Sequence, residues 1–581
     1  MSTQSIPTTL TFLSEISSLI TRKDAAQIAQ FLIIEPPYSS SYEQIIAELR
    51  RAYPRSSPSS SFASGSTSSD DALESVVSSR LAGAVSADAD GAGPSWNAFV
   101  KFMGVYLAFL RDVDVGNLLE TYNLLSDLLQ KANSALSHQT NGYLILPTVV
   151  QYSRVLSRLA IGLDKQPHLI AHLIPKSSGE DGGPRETLPE RAANILRQAF
   201  VICLNDRSGA GTGGLNSSTR RPEGKRRGIY TIANLCLRIL FACHKTRGCA
   251  QIFENIYNQS PPLNSYPKSE RVTYLYYLGR FLWGNGHVYR AQKTLQQAWN
   301  ECNVQCASSQ GRLILIYLIA ANLICGRFPS AQLLSHPSAQ GVRDHFEPLC
   351  RYIAQGDLCS FRRHLDVGSA HYAWFSHYRL DLQLWNRCEV LVWRSLVRKT
   401  FLISGDPGDP STRKAPTVDL NVVLTLFYWQ ERKYVTPPGQ MQPNVYVDPD
   451  FAGSEDMQET EEQAALVLPD MTSIFSKMSA LIHQEFLNGY LSFSRRKLAI
   501  QGARVKGALA AGFPNIWEAV EKRCNADGDG DEIPGWKVED AANRKRKMMG
   551  AGAGAKAGGA FGPGMVVNLS GARPAGASPF G

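Results

Sequence analysis

Residues 271–299 read RVTYLYYLGRFLWGNGHVYRAQKTLQQAW, and this stretch decides the fold. Apolar residues recur at helical spacing on both sides of a turn that contains Gly284 and Gly286. Small residues stand at positions where they would let two antiparallel helices approach closely, while larger residues fill the groove between them. We therefore predict a packed helical pair. The residues that set this pattern are Leu275, Leu278, Gly279, Leu282, Ala291, Leu295 and Ala298.

The chain around this pair is also helical in pattern. A single helical pair cannot cover its own apolar face, so it needs neighbouring pairs stacked on both sides. Apolar residues at helical spacing run from residue 229 to 403 and through most of 94–205 and 6–51. The neighbouring pairs are less regular than 271–299. We predict a mainly α protein built on an irregular right-handed helical-repeat solenoid of the tetratricopeptide (TPR-like) type.

A different pattern follows residue 404. Helical spacing at 418–429 and 471–487 is followed by two short apolar runs, at 490–493 and 498–500, around a basic turn. Two such runs joined by a short turn are typical of a β-hairpin. Two helices and then a hairpin make the order of a winged helix. We also interpret 370–403 as one long helix that leads into this domain.

Composition sets the domain boundaries. The chain has 581 residues, 44% of them hydrophobic, and a formal net charge of +9, so it has room for about three folded units. Segments rich in Ser, Ala and Gly cannot bury enough surface to offset the entropy of ordering, and we predict that they are disordered. The predicted segments are N-terminal helices 1–53, a disordered insert 54–93, N-terminal repeats 94–205, a basic linker 206–228, the main stack 229–403, the winged helix 404–520 with an acidic insert 437–462, and a disordered basic tail 521–581.

The sequence argues against a membrane protein and against an enzyme. Its most apolar window, 313–325, is about 13 residues long, too short to cross a bilayer. None of the common catalytic signatures occurs, so we expect no small-molecule substrate, cofactor or catalytic residue. Cys302 and Cys306 lie four residues apart, which suits core packing better than a zinc site because no second close pair completes the ligand set.

Two basic stretches carry the functional interpretation. Cations on a hairpin tip suit phosphate contact, and neighbouring aromatic rings suit base stacking, although a solvated turn would have the same composition. A run of four cations in the tail is typical of a nuclear-import signal, against the alternative of a solubilising tail. The nucleic-acid candidates are Arg495, Arg496, Lys497, Arg504, Lys506 and Tyr490, and the import candidates are Arg544, Lys545, Arg546 and Lys547.

Several short segments, in collinear order, resemble one family. They are EPPY at 35–38, RVTYLYYLGR at 271–280, ILIYL at 314–318 and GYLS at 489–492. Together with the order of stack, long helix and winged helix, they are similar to the PCI domain-containing protein 2 family. This resemblance covers most of residues 30–505 outside the inserts. Its members are PCI-domain subunits of the TREX-2 messenger-RNA export complex.

The resemblance implies a non-enzymatic scaffold in the nucleus, including the nuclear pore, with the cytoplasm as a second location. Its helical stack would bind a small acidic subunit of the DSS/Sem type, which is shared with the proteasome. Its winged helix would lie against that of a large PCI-like scaffold subunit, and the two would form a platform for RNA or DNA. A sister branch, associated with the COP-nine signalosome as its subunit 12, gives the alternative of a structural subunit without nucleic-acid binding.

Overall fold

The computed structural model describes ten stretches of the chain, all within one compact unit. It shows a mainly α-helical solenoid that ends in a small α/β domain. None of the helices within these stretches combines the length and the apolar character that a membrane span requires. The described residues are 6–55, 69–85, 95–114, 116–166, 187–207, 215–216, 218–303, 308–409, 414–435 and 469–526.

Within the described stretches, the N-terminal part of the solenoid contains nine helices, most of which pack on a neighbour in sequence. Buried apolar residues repeat at helical spacing in each long helix, and these stripes form one continuous core. The helices are α1 (Pro7–Thr21), α2 (Ala25–Phe31), α3 (Ser40–Ala52), α4 (Ser69–Val85), α5 (Asn97–Asp112), α6 (Leu118–Leu136), α7 (Leu146–Asp164), α8 (Leu188–Leu204) and α9 (Ile229–Ala242).

The second part of the solenoid continues the same core toward the C-terminal domain. Short 3-10 turns join several of its helices, including one at Thr246–Gly248 after α9. The helices are α10 (Cys249–Gln259), α11 (Lys268–Gly284), α12 (Val288–Glu301), α13 (Ser308–Ile324), α14 (Ala331–Leu334), α15 (Arg343–Gln355), α16 (Leu358–Leu365), α17 (Tyr372–His377) and α18 (Asp381–Ser404).

The predicted helical pair is α11 and α12, and its packing has the predicted cause. A Cβ atom added at Gly279 would lie 2.6 Å from the side chain of Leu295, so only glycine allows this approach. Gly286 in the connecting turn has a φ of 82°, a conformation that residues with a side chain rarely adopt. Ala291 and Ala298 on α12 and Leu275 on α11 are all fully buried. The prediction of a close-packed pair is confirmed.

The C-terminal domain has the topology of a winged helix. Among the described residues, two helices lie between a short first strand and the hairpin, and the antiparallel sheet has the order β1-β3-β2. The hairpin was predicted; β1 was not, because three residues are too few to show strand alternation. The elements are β1 (Thr417–Asp419), α19 (Leu420–Val435), α20 (Met471–His483), β2 (Gly489–Ser492), β3 (Lys497–Ile500), α21 (Ala503–Lys506), α22 (Ala508–Gly512) and α23 (Ile516–Ala526).

Two half-buried arginines fasten the winged helix to the stack. Arg394 on α18 donates hydrogen bonds to the carbonyl oxygens of Phe486 at 3.1 Å, Phe513 at 3.1 Å and Pro514 at 2.7 Å. Burial, with Arg398 nearby, lowers the pKa of Arg394 to about 10. Arg362 on α16 forms ion pairs with Glu389 on α18 and Glu431 on α19, at 2.8 and 2.7 Å. Both arginines therefore hold the two domains in one orientation.

The last helix returns to the stack and corrects a predicted boundary. Trp517 on α23 packs against Tyr289 of α12, with ring centroids 5.6 Å apart, and Arg327 lies 4.6 Å from its ring. The tail predicted to be disordered from 521 therefore begins inside a helix that runs to residue 526. The apolar residues Ile516, Trp517 and Val520 that face the stack explain why this helix forms.

The insert predicted to be disordered over 54–93 contains the ordered helix α4. Four apolar residues at four-residue spacing are almost fully buried against the core, and Asp70 at its start forms a 2.8 Å ion pair with Arg111. The prediction was wrong for this part because Ser and Ala obscured one narrow apolar stripe. The residues of the stripe are Leu73, Val77, Leu81 and Val85.

The segment 206–228, predicted to be a basic linker, is also folded toward its end. A 3-10 helix spans Gly224–Gly228. Lys225 is only 4% exposed, its amide donates to the carboxylate of Asp206 at 2.9 Å, and its ammonium lies 3.7 Å from the same carboxylate. The prediction failed because a lysine that pairs inside the fold looks the same in sequence as a solvated one.

Two other predictions differ from the structure or lie outside it. The long helix predicted over 370–403 is divided into α17 and α18, since Arg379 between them adopts a φ of 55°. Residues 437–462, the predicted acidic insert, lie outside the described residues, as does the tail beyond 526 with the import candidates Arg544, Lys545, Arg546 and Lys547.

Candidate nucleic-acid interface of the winged helix

The basic turn of the hairpin projects from the winged helix, as the sequence predicts. Arg495, Arg496 and Lys497 are all exposed. Arg496 adopts a left-handed conformation with a φ of 49°, and its carbonyl oxygen accepts a 2.9 Å hydrogen bond from the amide of Leu420. Its guanidinium lies 3.4 Å from the side-chain oxygen of Asn421. The turn is therefore anchored to the start of α19.

Strand register places Tyr490 and Lys497 on one face of the sheet. Tyr490 is opposite Ala499, and Lys497 is opposite both Ser492 and Asp419. Directly paired residues and residues two apart along a strand share a face, so Tyr490 and Lys497 both point away from the buried side that carries Leu498. Tyr490 is 53% exposed. Its ring is available for stacking beside a cation.

The three cations of the turn differ in their electrostatic surroundings. The pKa of Asp406 is lowered, mainly by its hydrogen bond to Lys414, then by the amide of Gly408 and the charge of Lys497. Lys497 is thus partly balanced by Asp406 and by Asp419 across the strand pair. Within the described stretches, Arg495 and Arg496 have no carboxylate at ion-pair distance. These two arginines are the better phosphate contacts.

Arg504 and Lys506 do not join this cluster. Both are exposed on the single turn of α21, between Gly502 and Gly507. The helix follows the end of β3 that is farther from the basic turn, and the four residues of β3 separate the two by about 10 Å. The candidate cations of the winged helix therefore occupy two separate positions, the hairpin turn and α21.

The structure also reveals aromatic residues on α19 that the sequence analysis missed. Tyr428 and Trp429 are exposed, with Trp429 at 51%. The guanidinium of Arg432 lies 6.0 Å from the ring centroid of Tyr428, and the ammonium of Lys433 lies 5.2 Å from that of Trp429. In the sequence, each of these aromatic residues is followed four residues later by a cation. Residues at this spacing are neighbours on a helix, so the pattern indicates paired aromatic and cationic side chains on one helix.

These groups lie on the hairpin turn and on the exposed side of α19, the helix that adjoins it. Asn421 at the start of α19 contacts Arg496, and Trp429 is eight residues, or about 12 Å, farther along the same helix. We call this surface the wing surface and define it by Arg495, Arg496, Asn421, Trp429 and Lys433. Exposed cations and an exposed aromatic ring on a rigid helix and hairpin can contact phosphates and stack on a base.

Curated relatives of the chain carry two kinds of name. A PCI domain-containing protein of Schizosaccharomyces pombe is 29% identical over 304 residues, which cover 52% of this chain and 63% of the relative. A "Protein CSN12 homolog" of Gibberella zeae is 32% identical over 217 residues, covering 36% and 44%. "PCI domain-containing protein 2" of Danio rerio is 26% identical over 230 residues, covering 40% and 52%. No protein-family model matches the chain.

The chain is similar to proteins of the PCI-domain family. It spans 44 to 63% of the length of these relatives. Its helical solenoid followed by a winged helix is the order that the resemblance implies. The family resemblance found in the short sequence segments is therefore confirmed.

Proposed function

We propose that this PCI-domain protein is a non-enzymatic scaffold subunit of the nuclear TREX-2 complex, which couples transcription to messenger-RNA export. Its helical stack holds partner subunits, and its winged helix contributes to a surface that binds RNA or DNA. The observation that carries the nucleic-acid part of the proposal is the wing surface. There, Arg495 and Arg496 are exposed without a carboxylate partner in the described part of the chain, and Trp429 lies on the adjoining helix.

The proposed partners are of two kinds. The winged helix would lie against that of the large PCI-like scaffold subunit, and the helical stack would bind the small acidic subunit of the DSS/Sem type. Arg362 and Arg394 support this arrangement, since a fixed angle between stack and winged helix lets one chain position both partners. Relatives named PCI domain-containing protein 2 agree with the family resemblance from which we infer the export complex.

Quantitative co-purification tests the assignment of the complex. The full chain, tagged and expressed at its native level, should recover the large scaffold subunit and the small acidic subunit in near-equal amounts. Recovery of signalosome subunits in place of the large scaffold subunit would contradict the proposal. The triple variant Arg495→Ala, Arg496→Ala, Lys497→Ala serves as the control, because it should recover the same proteins while releasing RNA.

The second candidate is a structural subunit associated with the COP-nine signalosome. Relatives named "Protein CSN12 homolog" favour it, including the one that is 32% identical. On this alternative the winged helix would pair only with other winged helices, and the wing surface would be buried between proteins. The triple variant would then lose partner subunits instead of RNA.

The proposed location is the nucleus, including the nuclear pore. It rests on the cation run Arg544, Lys545, Arg546 and Lys547, which lies outside the described residues. Changing all four to Ala should shift a fluorescently tagged chain from nucleus to cytoplasm. A chain that stays nuclear when it carries this change, in cells that lack the wild-type copy, would remove the run from the proposal.

A further inference from the structure

One face of α8 in the N-terminal part of the stack lines a continuous groove. Three adjoining hollows, of about 740, 740 and 490 Å³, share lining residues with one another. Glu190, Asn194, Arg197, Val201 and Asn205 recur every three or four residues and so lie on a single face of the helix. They span about 22 Å, the length of six or seven residues of extended chain.

Two buried polar atoms in the middle hollow have no hydrogen-bond partner among the described residues. Asn133 on α6 is only 3% exposed, and its amide nitrogen donates to the carbonyl of Ile195 at 3.0 Å, but within this part of the chain its side-chain oxygen accepts no hydrogen bond. Arg197 donates from Nη1 to Asn194 at 2.7 Å, while its buried Nε finds no acceptor in the same described stretches. An unpaired buried acceptor and donor are costly, and a peptide unit, with one N–H and one carbonyl, satisfies one of each.

The charges of the lining favour an acidic occupant. Its two carboxylates are already paired with lysines: Glu190 with Lys245 at 3.1 Å and Asp206 with Lys225 at 3.7 Å. The lining also contains Arg197, Arg207 and Arg247, for which no carboxylate among the described residues lies at ion-pair distance. The uncompensated charge of the groove is therefore positive.

The groove suits a peptide better than a nucleic acid. The described residues of its lining include no Phe, Tyr or Trp on which a base could stack. It does contain aliphatic side chains, Val201, Ile202 and Leu240, and Val201 is 36% exposed. Apolar pockets between hydrogen-bonding groups are a common way to hold an extended peptide.

We propose that the α8 groove binds an extended acidic segment of a partner protein. Asn133 and Arg197 hydrogen-bond to the backbone of this segment, the three arginines bind its carboxylates, and Val201 contacts its apolar side chains. This inference rests on the proposed role of the stack as a protein scaffold and assigns that role to one face of one helix.

Site-specific photo-crosslinking in the full chain tests it. The photo-reactive residue p-benzoylphenylalanine replaces Val201, and in a control it replaces Tyr257, an equally exposed apolar residue on α10 outside the groove. The position of each adduct in its partner is then mapped by mass spectrometry. We expect adducts from position 201 to fall on one acidic segment of another protein. Adducts on RNA, on neutral or basic segments, or in the same scatter as at position 257 would overturn the inference, as would the absence of adducts.

Matched arginine variants sharpen the test. Arg197→Gln should lower the adduct yield at position 201 about five-fold, since a lost charged hydrogen bond is worth about 1 kcal/mol or more. Arg191→Gln, on the same helix but outside the groove, should leave it unchanged; equal yields from the two variants would count against the inference. If the adducts fell on an acidic segment of a protein outside the export complex, the groove would be supported as a peptide site and membership of TREX-2 would be contradicted. If export partners co-purified but formed no adduct at position 201, TREX-2 membership would be supported and the groove inference would be contradicted.

Discussion

The two basic clusters of this chain have similar sequences and opposite structures. In 220–227, Lys225 is buried. Its ammonium pairs with the carboxylate of Asp206 and donates a 3.5 Å hydrogen bond to the carbonyl oxygen of Ser137. In the hairpin turn, Arg495 and Arg496 are exposed, without a carboxylate partner in the described part of the chain. Charge alone does not distinguish a structural cation from one that binds a partner. Burial and the availability of a carboxylate do.

The largest effect should come from breaking the buried pair. Lys225→Met leaves the carboxylate of Asp206 buried without its cation, which should lower the free energy of unfolding by about 3–5 kcal/mol. Chemical denaturation of the purified chain measures this. Arg227→Met, at an exposed position of the same cluster, should change it by less than about 0.5 kcal/mol. Equal effects of the two substitutions would contradict the assignment of Lys225 as structural.

A buried histidine extends the comparison to pH. Burial lowers the pKa of His364 to about 4, while its ring nitrogen lies 2.8 Å from the carbonyl oxygen of His345. The folded state therefore favours the neutral ring. The contribution of the neutral His364 ring to the free energy of unfolding is fully present above about pH 6.5 and is lost as the pH falls toward 4. When the pH is lowered from 7.5 to 5, the free energy of unfolding of the wild type should fall by about 2 kcal/mol more than that of His364→Gln. Parallel pH profiles would contradict this.

A smaller effect is expected on the exposed side of the comparison. Trp429→Ala removes a ring that can stack on a base, which should weaken RNA affinity by about 1 kcal/mol, or roughly five-fold. Fluorescence anisotropy with a labelled single-stranded RNA measures this. Trp393→Ala serves as the control outside the wing surface. It removes an aromatic ring of α18 whose centroid lies 4.5 Å from the ammonium of Lys477. If both variants bound as the wild type does, stacking would have no part in the interface.

The sequence predicted the features that follow from a single physical requirement of a residue at its position. Gly279 opposite Leu295 requires close helix packing, and the apolar runs around the basic turn require a hairpin. The strand β1 was missed because its three residues owe their conformation to pairing with β3. The pairs Tyr428–Arg432 and Trp429–Lys433 were missed because aromatic residues on a helix usually indicate a core, and only the structure shows these exposed.

The central claim is that exposed arginines of the wing surface contact nucleic acid. Its most direct test is the dissociation constant for single-stranded RNA of the wild type and of the triple variant Arg495→Ala, Arg496→Ala, Lys497→Ala, measured between about 50 and 200 mM salt. Each phosphate contact contributes about 0.7 to the log–log slope for a single strand. With Arg495 and Arg496 as the main contacts, the slope should fall by about 1.4 in the variant. Identical slopes and affinities in the two proteins would contradict the account.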